Sequence, residues 1–214
     1  FDSWGQPTIW WQLLKDQLGF TVNAPYTLDD MSADAVGLLD AVGYQDAHVI
    51  GFSMGGMIAQ QVAAQYPQRV LSLTSVMSTT FAKHLPPPTK AANDALTSFA
   101  SGDAAEQRSQ AILDRGFYPE SMPRQLMAIF KTGDRSAEVK TIAVKTLVIH
   151  GEDDGLIPPL HGEHTAELIE RAKLVIFPGM GHNVPEDILP KMLEHMISHM
   201  KTADFAAGRT DSHH

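Results

Sequence analysis

The chain has 214 residues, of which 43% are hydrophobic and 19% are charged, as expected for one globular domain with a full core. Its formal net charge of −9, without a basic run, argues against nucleic acid or an anionic membrane as partner, since both need clustered Lys and Arg. Because cysteine is absent, disulfides, thiolate zinc sites and a cysteine nucleophile are excluded.

The first 25 residues predict an aromatic-rich loop and a short helix rather than strands. They contain Trp4, Trp10 and Trp11, and they show neither an initiator methionine nor the basic start and apolar run of a signal peptide. No apolar stretch in the sequence approaches the roughly 20 residues that span a bilayer, so no transmembrane segment is predicted. The absence of cysteine suits a reducing compartment, and we predict a cytoplasmic protein.

A helix is predicted at 27–42, where apolar residues recur at helical spacing until Gly43 ends the pattern. A short apolar strand, Ala47–Ile50, then runs directly into Gly51-Phe-Ser-Met-Gly-Gly56, and a second helix is predicted from Met54 to Tyr66. The sequence therefore puts a glycine-rich turn with one serine between a strand and a helix.

A Gly-x-Ser-x-Gly turn in that position describes a nucleophile elbow, in which Ser53 is held in a strained backbone conformation with its hydroxyl exposed. We expect Gly51 and Gly55, two residues to either side of Ser53, to remove Cβ atoms that would collide in such a turn. On this pentapeptide alone, an ordinary glycine-rich turn with a surface serine fits the sequence equally well.

After the second helix the pattern predicts a buried strand at Val70–Met77 and then a departure from the core. Residues 78–140 include the run Pro86-Pro87-Pro88, followed by three amphipathic helical pieces at Thr89–Ala100, Ala104–Arg115 and Met122–Lys131. We assign this segment to a helical cap over the site.

Two further strands end in turns that present polar residues. The strand at 146–150 runs into three successive acids at 152–154, and the strand at 173–177 runs into a glycine-flanked turn that presents His182. Open α/β sheets build their sites at the carboxyl ends of the strands, where a serine, a carboxylate and a histidine can form one relay. We therefore predict Ser53 as nucleophile and His182 as general base and then general acid, with one of the three acids orienting the histidine.

A helix at 162–171 separates these strands, and a final helix runs to about Met200. Its methionine stripe is predicted to pack in the core, and its apolar residues lie on one face: Ile188, Leu189, Met192, Leu193, Met196, Ile197 and Met200. A metal site is one interpretation of His161, Glu163 and His164, which lie near the start of a predicted helix. A solvated helix terminus is the better interpretation. No phosphate-binding glycine motif is present, and we predict neither a metal nor a cofactor.

In the chain order serine, acid, histidine, the sequence resembles the α/β-hydrolase superfamily. Three motifs carry the resemblance: Gly-Phe-Ser-Met-Gly-Gly, the His-Gly-x-x-Asp turn ending at Asp154, and the Gly-Met-Gly-His turn ending at His182. More narrowly, it is similar to the esterase branch that includes aclacinomycin methylesterase-like proteins at four places: Pro25–Met31, Ala47–Gly51, Tyr118–Pro119 and Arg124–Leu126. The resemblance covers the chain from about Tyr26 to Met200.

The resemblance implies an α/β-hydrolase fold, with a mostly parallel sheet, helices on both faces and a helical cap. It selects Asp154 as the orienting acid, with Asp153 as the alternative. The helix that begins at Met54 points its first N–H groups toward the site, so we predict the Met54 N–H as one oxyanion donor. We also predict Phe52 as a substrate contact.

The family places several strands and the second oxyanion donor before the nucleophile strand, and neither is evident in residues 1–25. We therefore expect the N-terminal strands and that donor to be missing from these 214 residues. The predicted organisation is a hydrolase core at 1–77 and 141–200, a cap at 78–140 and a frayed tail at 201–214.

The predicted function is hydrolysis of a small-molecule carboxylic ester through a Ser-His-Asp triad and an acyl-enzyme. One alternative is a cofactor-free perhydrolase or haloperoxidase-like enzyme, since Gly-x-Ser-Met-Gly-Gly is also seen in such enzymes. A second is a catalytically silent fragment that keeps the triad without a complete sheet.

Overall fold

A computed structural model of the chain describes residues 14–15, 18, 20, 22–101 and 121–208, with the side chains at 96–101 and 122–123 left out of the description. Several features that the sequence singled out lie outside the described residues: Trp4, Trp10, Trp11, the helical piece at 104–115 and Tyr118–Pro119. Across the described part of the chain, every helix is too short or too polar to cross a lipid bilayer.

Four parallel strands form one sheet in the order of the chain: β1 (Ala47–Phe52), β2 (Val70–Val76), β3 (Thr146–Gly151) and β4 (Ala172–Phe177). These are the four predicted strands, with small differences at their ends. Because all four run in the same direction, their carboxyl ends meet at one edge of the sheet. Between residues 22 and 46 the structure describes no strand.

Seven α-helices lie within the described ranges: α1 (Leu28–Ala41), α2 (Met54–Gln65), α3 (Lys90–Ser101), α4 (Met122–Thr132), α5 (Ser136–Val139), α6 (Leu160–Leu168) and α7 (Leu189–Ala206). The short helix α5 was not predicted, because one turn carries too little periodicity to recognise. Helix α7 continues past its predicted end near Met200 to Ala206, and Ala203 in this extension is buried.

The sheet and its helices bury two hydrophobic clusters. In the first, residues of α2 pack with the first half of β2: Ala59, Val62, Ala63, Val70 and Leu73. In the second, residues of β3 and β4 pack against α7: Leu147, Ile149, Phe177, Met192 and Met196. The predicted α/β fold, with a parallel sheet covered by helices, is therefore confirmed.

The predicted core packing of the α7 methionines is confirmed for Met192 and Met196, although the apolar face of this helix as a whole is only partly buried. Met192 and Met196 are buried, at 0% and 3% exposure, whereas Leu193 and Ile197 are 44% and 47% exposed. Residues four apart lie above one another on a helix, while the next residue lies about 100° further round. The methionines therefore form the seam against the sheet, and the leucine and isoleucine face away from it.

The chain divides into two compact units. Residues Phe1–Leu28 and Thr89–Gly133 form one unit, and Asp29–Pro88 and Asp134–His214 form the other. Within the first unit, the Leu28 amide donates a hydrogen bond to the Thr132 hydroxyl oxygen over 3.1 Å. The second unit contains the whole sheet. The assignment of residues 78–140 to a cap stays a prediction.

Candidate active site

Three turns at the carboxyl edge of the sheet bring together the side chains that the sequence singled out. Ser53 follows β1, Asp154 lies three residues after β3, and His182 lies in the turn after β4. The His182 Nδ1 atom is 2.8 Å from Asp154 Oδ2, and its Nε2 atom is 2.9 Å from Ser53 Oγ. The three residues therefore form one continuous hydrogen-bonded chain.

The Asp154 carboxylate fixes the direction of these hydrogen bonds. An ionised carboxylate only accepts, so His182 Nδ1 carries the proton and donates it. In neutral imidazole the other ring nitrogen, Nε2, is then unprotonated, and it accepts the hydrogen bond from the Ser53 hydroxyl. This arrangement is the one in which a histidine can remove the serine proton.

Ser53 has the strained backbone that the sequence predicted. Its φ and ψ are 53° and −120°, and it is one of three non-glycine residues with positive φ in the described part of the chain. Such a conformation costs of order 1–3 kcal/mol and persists only where the surroundings enforce it. Here the Ser53 amide donates to the Val76 carbonyl over 2.9 Å, and the Ser78 hydroxyl donates to the Ser53 carbonyl over 2.9 Å.

The glycines that this turn requires are Gly51 and Gly56, which corrects the prediction for Gly55. A Cβ atom on Gly51 would lie 2.0 Å from the Gly55 carbonyl oxygen, and one on Gly56 would lie 2.6 Å from the Ser78 Cβ. A Cβ on Gly55 would meet nothing within 4 Å. The sequence pattern is symmetric about Ser53, but the packing is not. Gly51 faces the backbone of the first turn of α2 and Gly56 faces Ser78, whereas Gly55 faces open space.

Asp154 is the buried member of the acidic turn. It is 3% exposed, whereas Glu152 and Asp153 are exposed. Its Oδ1 atom accepts hydrogen bonds from the amides of Leu156 and Ile157, over 3.0 and 2.8 Å. Burial by itself would raise the pKa of Asp154, but the hydrogen bonds from His182 and the Ile157 amide outweigh it and lower that pKa. The carboxylate that faces His182 is therefore ionised.

A close backbone approach holds the acidic turn against the histidine turn. A Cβ atom on Gly151 would lie 2.1 Å from the Met180 carbonyl oxygen. That carbonyl accepts a hydrogen bond from the Asp153 amide over 3.0 Å, and the Glu152 amide donates to the Phe177 carbonyl over 3.0 Å. These contacts set the distance between the two turns and hence between the carboxylate and the imidazole.

The amino terminus of α2 lies directly after Ser53. The first amides of a helix have no partner within it, and the helix dipole adds partial positive charge there. The Met54 amide stays the predicted oxyanion donor on this basis. Phe52 is the last residue of β1 and is 42% exposed, and its contact with substrate also stays a prediction. The expectation that the second oxyanion donor is missing from these residues likewise stays a prediction.

His161 and His164 are bound by protein groups, which corrects the prediction of a solvated helix terminus. His161 Nδ1 lies 2.6 Å from Thr79 Oγ1, and its Nε2 lies 2.9 Å from the Pro86 carbonyl oxygen. His164 Nε2 lies 3.3 Å from Ser136 Oγ. Burial lowers the pKa of both histidines. Among the residues that the structure describes, no cluster of His, Asp and Glu could hold a metal ion.

Arg135 is a buried residue near the site that the sequence analysis did not identify. Its side chain is 1% exposed, and its guanidinium donates to the carbonyl of Met57 over 3.1 Å and to that of Thr79. Burial lowers the pKa of Arg135 to about 10. It links α2 to the segment after β2 that carries Ser78. A single arginine in a polar stretch shows no pattern that could reveal this role.

Known proteins resemble this chain along most of its length. The family model described as "alpha/beta hydrolase fold" matches residues 4–113. Rhodomycin D methylesterase DnrP of Streptomyces peucetius is 24% identical over 224 residues, which cover 84% of this chain and 75% of that protein. The 2-hydroxymuconate semialdehyde hydrolase of Pseudomonas sp. (strain CF600) is 30% identical over 196 residues, which cover 79% of this chain and 69% of that protein. A solved structure of a hydrolase from Pseudomonas aeruginosa PA01 has a TM-score of 0.63 at 24% identity, covers 84% of this chain and 74% of its own, and shows the fold.

Proposed function

The chain belongs to the α/β-hydrolase fold family, and on that premise we propose that it hydrolyses small-molecule carboxylic esters through an acyl-enzyme on Ser53. One observation carries the proposal: His182 bridges Ser53 Oγ and the buried carboxylate of Asp154, over 2.9 and 2.8 Å. A buried acid, an imidazole in the required tautomer and a strained serine together form the arrangement that activates a hydroxyl nucleophile.

In the first half of the reaction, Ser53 Oγ attacks the ester carbonyl carbon while its proton passes to His182 Nε2. The imidazolium that forms is stabilised by the ionised Asp154 carboxylate at Nδ1. The negative charge on the carbonyl oxygen develops near the amino terminus of α2, where the Met54 amide donates to it. The intermediate collapses by breaking the bond to the alcohol oxygen, which leaves with the proton from His182.

In the second half, His182 is neutral again and accepts a proton from water as the water oxygen attacks the acyl carbon. The bond to Ser53 Oγ then breaks, and His182 returns the proton to the serine. The net reaction consumes one ester and one water and yields one carboxylic acid and one alcohol. The relative from Streptomyces peucetius is named a methylesterase, which supports an ester as the substrate class here.

Ser72 provides a matched control for a test of the nucleophile. Its Oγ atom lies 2.8 Å from His48 Nδ1, and His48 Nε2 lies 3.2 Å from Asp204 Oδ1, so it also belongs to a serine–histidine–aspartate chain. Ser72 is 1% exposed within β2, and its backbone is part of the sheet. If a histidine and an aspartate partner were enough for labelling, a serine-directed reagent would modify both Ser53 and Ser72. If the serine must also be accessible to the reagent, only Ser53 of these two would be modified.

The test is labelling by a fluorophosphonate, located by peptide mass analysis. We expect modification of Ser53 in the wild-type protein and in Ser72→Ala, and none in Ser53→Ala. Labelling of Ser53→Ala at the wild-type level would overturn the proposal. Ester turnover measured beside peracid formation from acetate and peroxide separates an esterase from a perhydrolase. A folded protein that stays unlabelled at Ser53 would instead identify a catalytically silent chain.

A further inference from the structure

His150 is a buried histidine that the reaction proposed above does not use. It is the penultimate residue of β3, its side chain is 0% exposed, and it lies four residues before Asp154. Histidine is seldom buried completely without a specific hydrogen bond, because its polar nitrogens lose water on burial. Its position under the acidic turn therefore calls for a reason in the contacts of its ring.

The two ring nitrogens of His150 have different surroundings. Nε2 lies 2.8 Å from the Ile157 carbonyl oxygen, which only accepts, so Nε2 carries the proton and donates it. Nδ1 is buried and has no hydrogen-bond partner in the described part of the chain. A Cβ atom on Gly162 would lie 2.6 Å from Nδ1, so α6 closes against the ring and leaves no room for a second proton acceptor there. Burial also lowers the pKa of His150, so the ring stays neutral.

Ile157 connects His150 to the candidate acid. Its carbonyl accepts the His150 hydrogen bond, while its amide donates to Asp154 Oδ1 over 2.8 Å. The same His150 Nε2 atom lies 3.6 Å from Asp154 Oδ2, the oxygen that accepts from His182. The neutral His150 ring thus fixes one end of the turn from residue 154 to 157 through its Nε2–H group. The partial positive charge of the same N–H group lies near the Asp154 carboxylate.

We infer that His150 is a positioning residue that holds the Asp154 carboxylate in line with His182 by anchoring the carbonyl of Ile157. The inference rests on the proposed function, because it assigns to His150 a part in the geometry of the same three residues. Loss of this anchor releases the turn that carries Asp154, and displacement of about 1 Å in such a site costs on the order of a hundredfold in rate.

The test compares His150→Phe with His150→Gln. Phenylalanine fills the space without a donor, whereas the glutamine amide keeps a donor within reach of the Ile157 carbonyl. We expect His150→Phe to lower kcat for a small ester, and the rate of fluorophosphonate labelling, by roughly ten- to a hundredfold with little change in KM. The low-field NMR resonance of the His182 Nδ1 proton should be lost with it. His150→Gln should restore most of the rate and the resonance.

Three results would overturn the inference. One is a wild-type labelling rate and a retained His182 resonance in His150→Phe. Another is a His150→Gln variant as slow as His150→Phe although its Tm equals that of the wild type. The third result comes from the wild-type protein and therefore does not depend on whether either variant folds. It is a ¹⁵N NMR spectrum that places the His150 ring proton on Nδ1 rather than on Nε2.

Failure of the proposed function has a different signature. A wild-type protein that is unlabelled at Ser53, yet shows the low-field His182 proton, would overturn the esterase proposal alone. The positioning role of His150 would still be decided by whether His150→Phe removes that resonance and His150→Gln retains it.

Discussion

Gly151 lies so close to Met180 that a Cβ atom on it would be 2.1 Å from the Met180 carbonyl oxygen. This contact joins the turn after β3 to the turn after β4, and these turns carry Asp154 and His182. The distance of 2.8 Å between the carboxylate and the imidazole therefore depends on backbone packing as well as on the two side chains.

Gly51→Ala should disrupt the turn that carries Ser53, whereas Gly55→Ala should not. The added methyl at residue 51 would meet the Gly55 carbonyl at 2.0 Å, and at residue 55 it would meet nothing within 4 Å. Overpacking of this kind costs about 1–3 kcal/mol or more. Tm and fluorophosphonate labelling of both variants check this. Equal losses in the two variants would show that the symmetric sequence pattern, rather than the asymmetric packing, describes the turn.

Asp154→Asn should leave the fold intact and lower turnover by on the order of ten thousandfold. The asparagine amide donates where the carboxylate accepted, which favours the His182 tautomer with the proton on Nε2, and that nitrogen can then no longer take the serine proton. Asp153→Asn is the matched control, because Asp153 is exposed, and it should cost little. Steady-state kinetics on both variants check this. A larger loss of turnover in Asp153→Asn than in Asp154→Asn would contradict the assignment of Asp154 as the orienting acid.

Turnover should fall as the pH is lowered from about 9 to 5. His182 accepts the serine proton only when it is neutral. Asp154 does not interfere, because its lowered pKa keeps it ionised throughout this range. The pH dependence of kcat/KM checks this. A rate that is flat from about pH 5 to 9, with chemistry shown to be limiting, would argue against His182 as the base.

The free energy of unfolding should decline as the pH falls below about 6.5. Burial lowers the pKa values of His150, His161, His164 and His199 in the folded protein. Below the ordinary histidine pKa, the unfolded chain therefore binds more protons than the folded one. The stabilisation is complete above that pH and is lost as the pH falls toward the lowered values. Tm measured from about pH 8 to 5 follows the decline.

His199→Gln isolates one part of this pH dependence. His199 Nε2 lies 3.1 Å from the Leu73 carbonyl oxygen, and a glutamine amide can donate to the same oxygen but does not titrate. The variant should resemble the wild type in Tm at high pH and lose less Tm in acid. An unchanged slope would mean that His199 takes up its proton equally in both states.

The two sides of α7 should respond differently to truncation. Met196→Ala removes a 3% exposed side chain from the cluster between α7 and the sheet and should cost about 2–5 kcal/mol. Leu193→Ala removes a 44% exposed side chain and should change stability by less than about 0.5 kcal/mol. Chemical denaturation of both variants checks the orientation of this helix. Comparable losses would place Leu193 in the core.

The sequence alone determined the parallel α/β fold, the four strands and the positions of Ser53 and His182, because each depends on a local pattern. A strand is recognised from a short apolar run, and the strain at Ser53 follows from glycines within three residues of it. The order of the three motifs along the chain then indicated the family. None of these inferences requires knowledge of which residues meet across the fold.

Only the tertiary structure decided which acid is buried, which glycines are essential and what surrounds the histidines. Composition does not distinguish Asp153 from Asp154, and within the sequence only the family resemblance selected Asp154. The approach of Gly151 to Met180 joins the two turns, and Asp154 is the acid that faces the imidazole. Gly55 is spared and Gly56 constrained because Ser78, which is 22 residues away in sequence from Gly56, packs on one side of the turn. Burial and hydrogen bonding depend on contacts between segments that are distant in the sequence. The local periodicity of a segment does not specify such contacts.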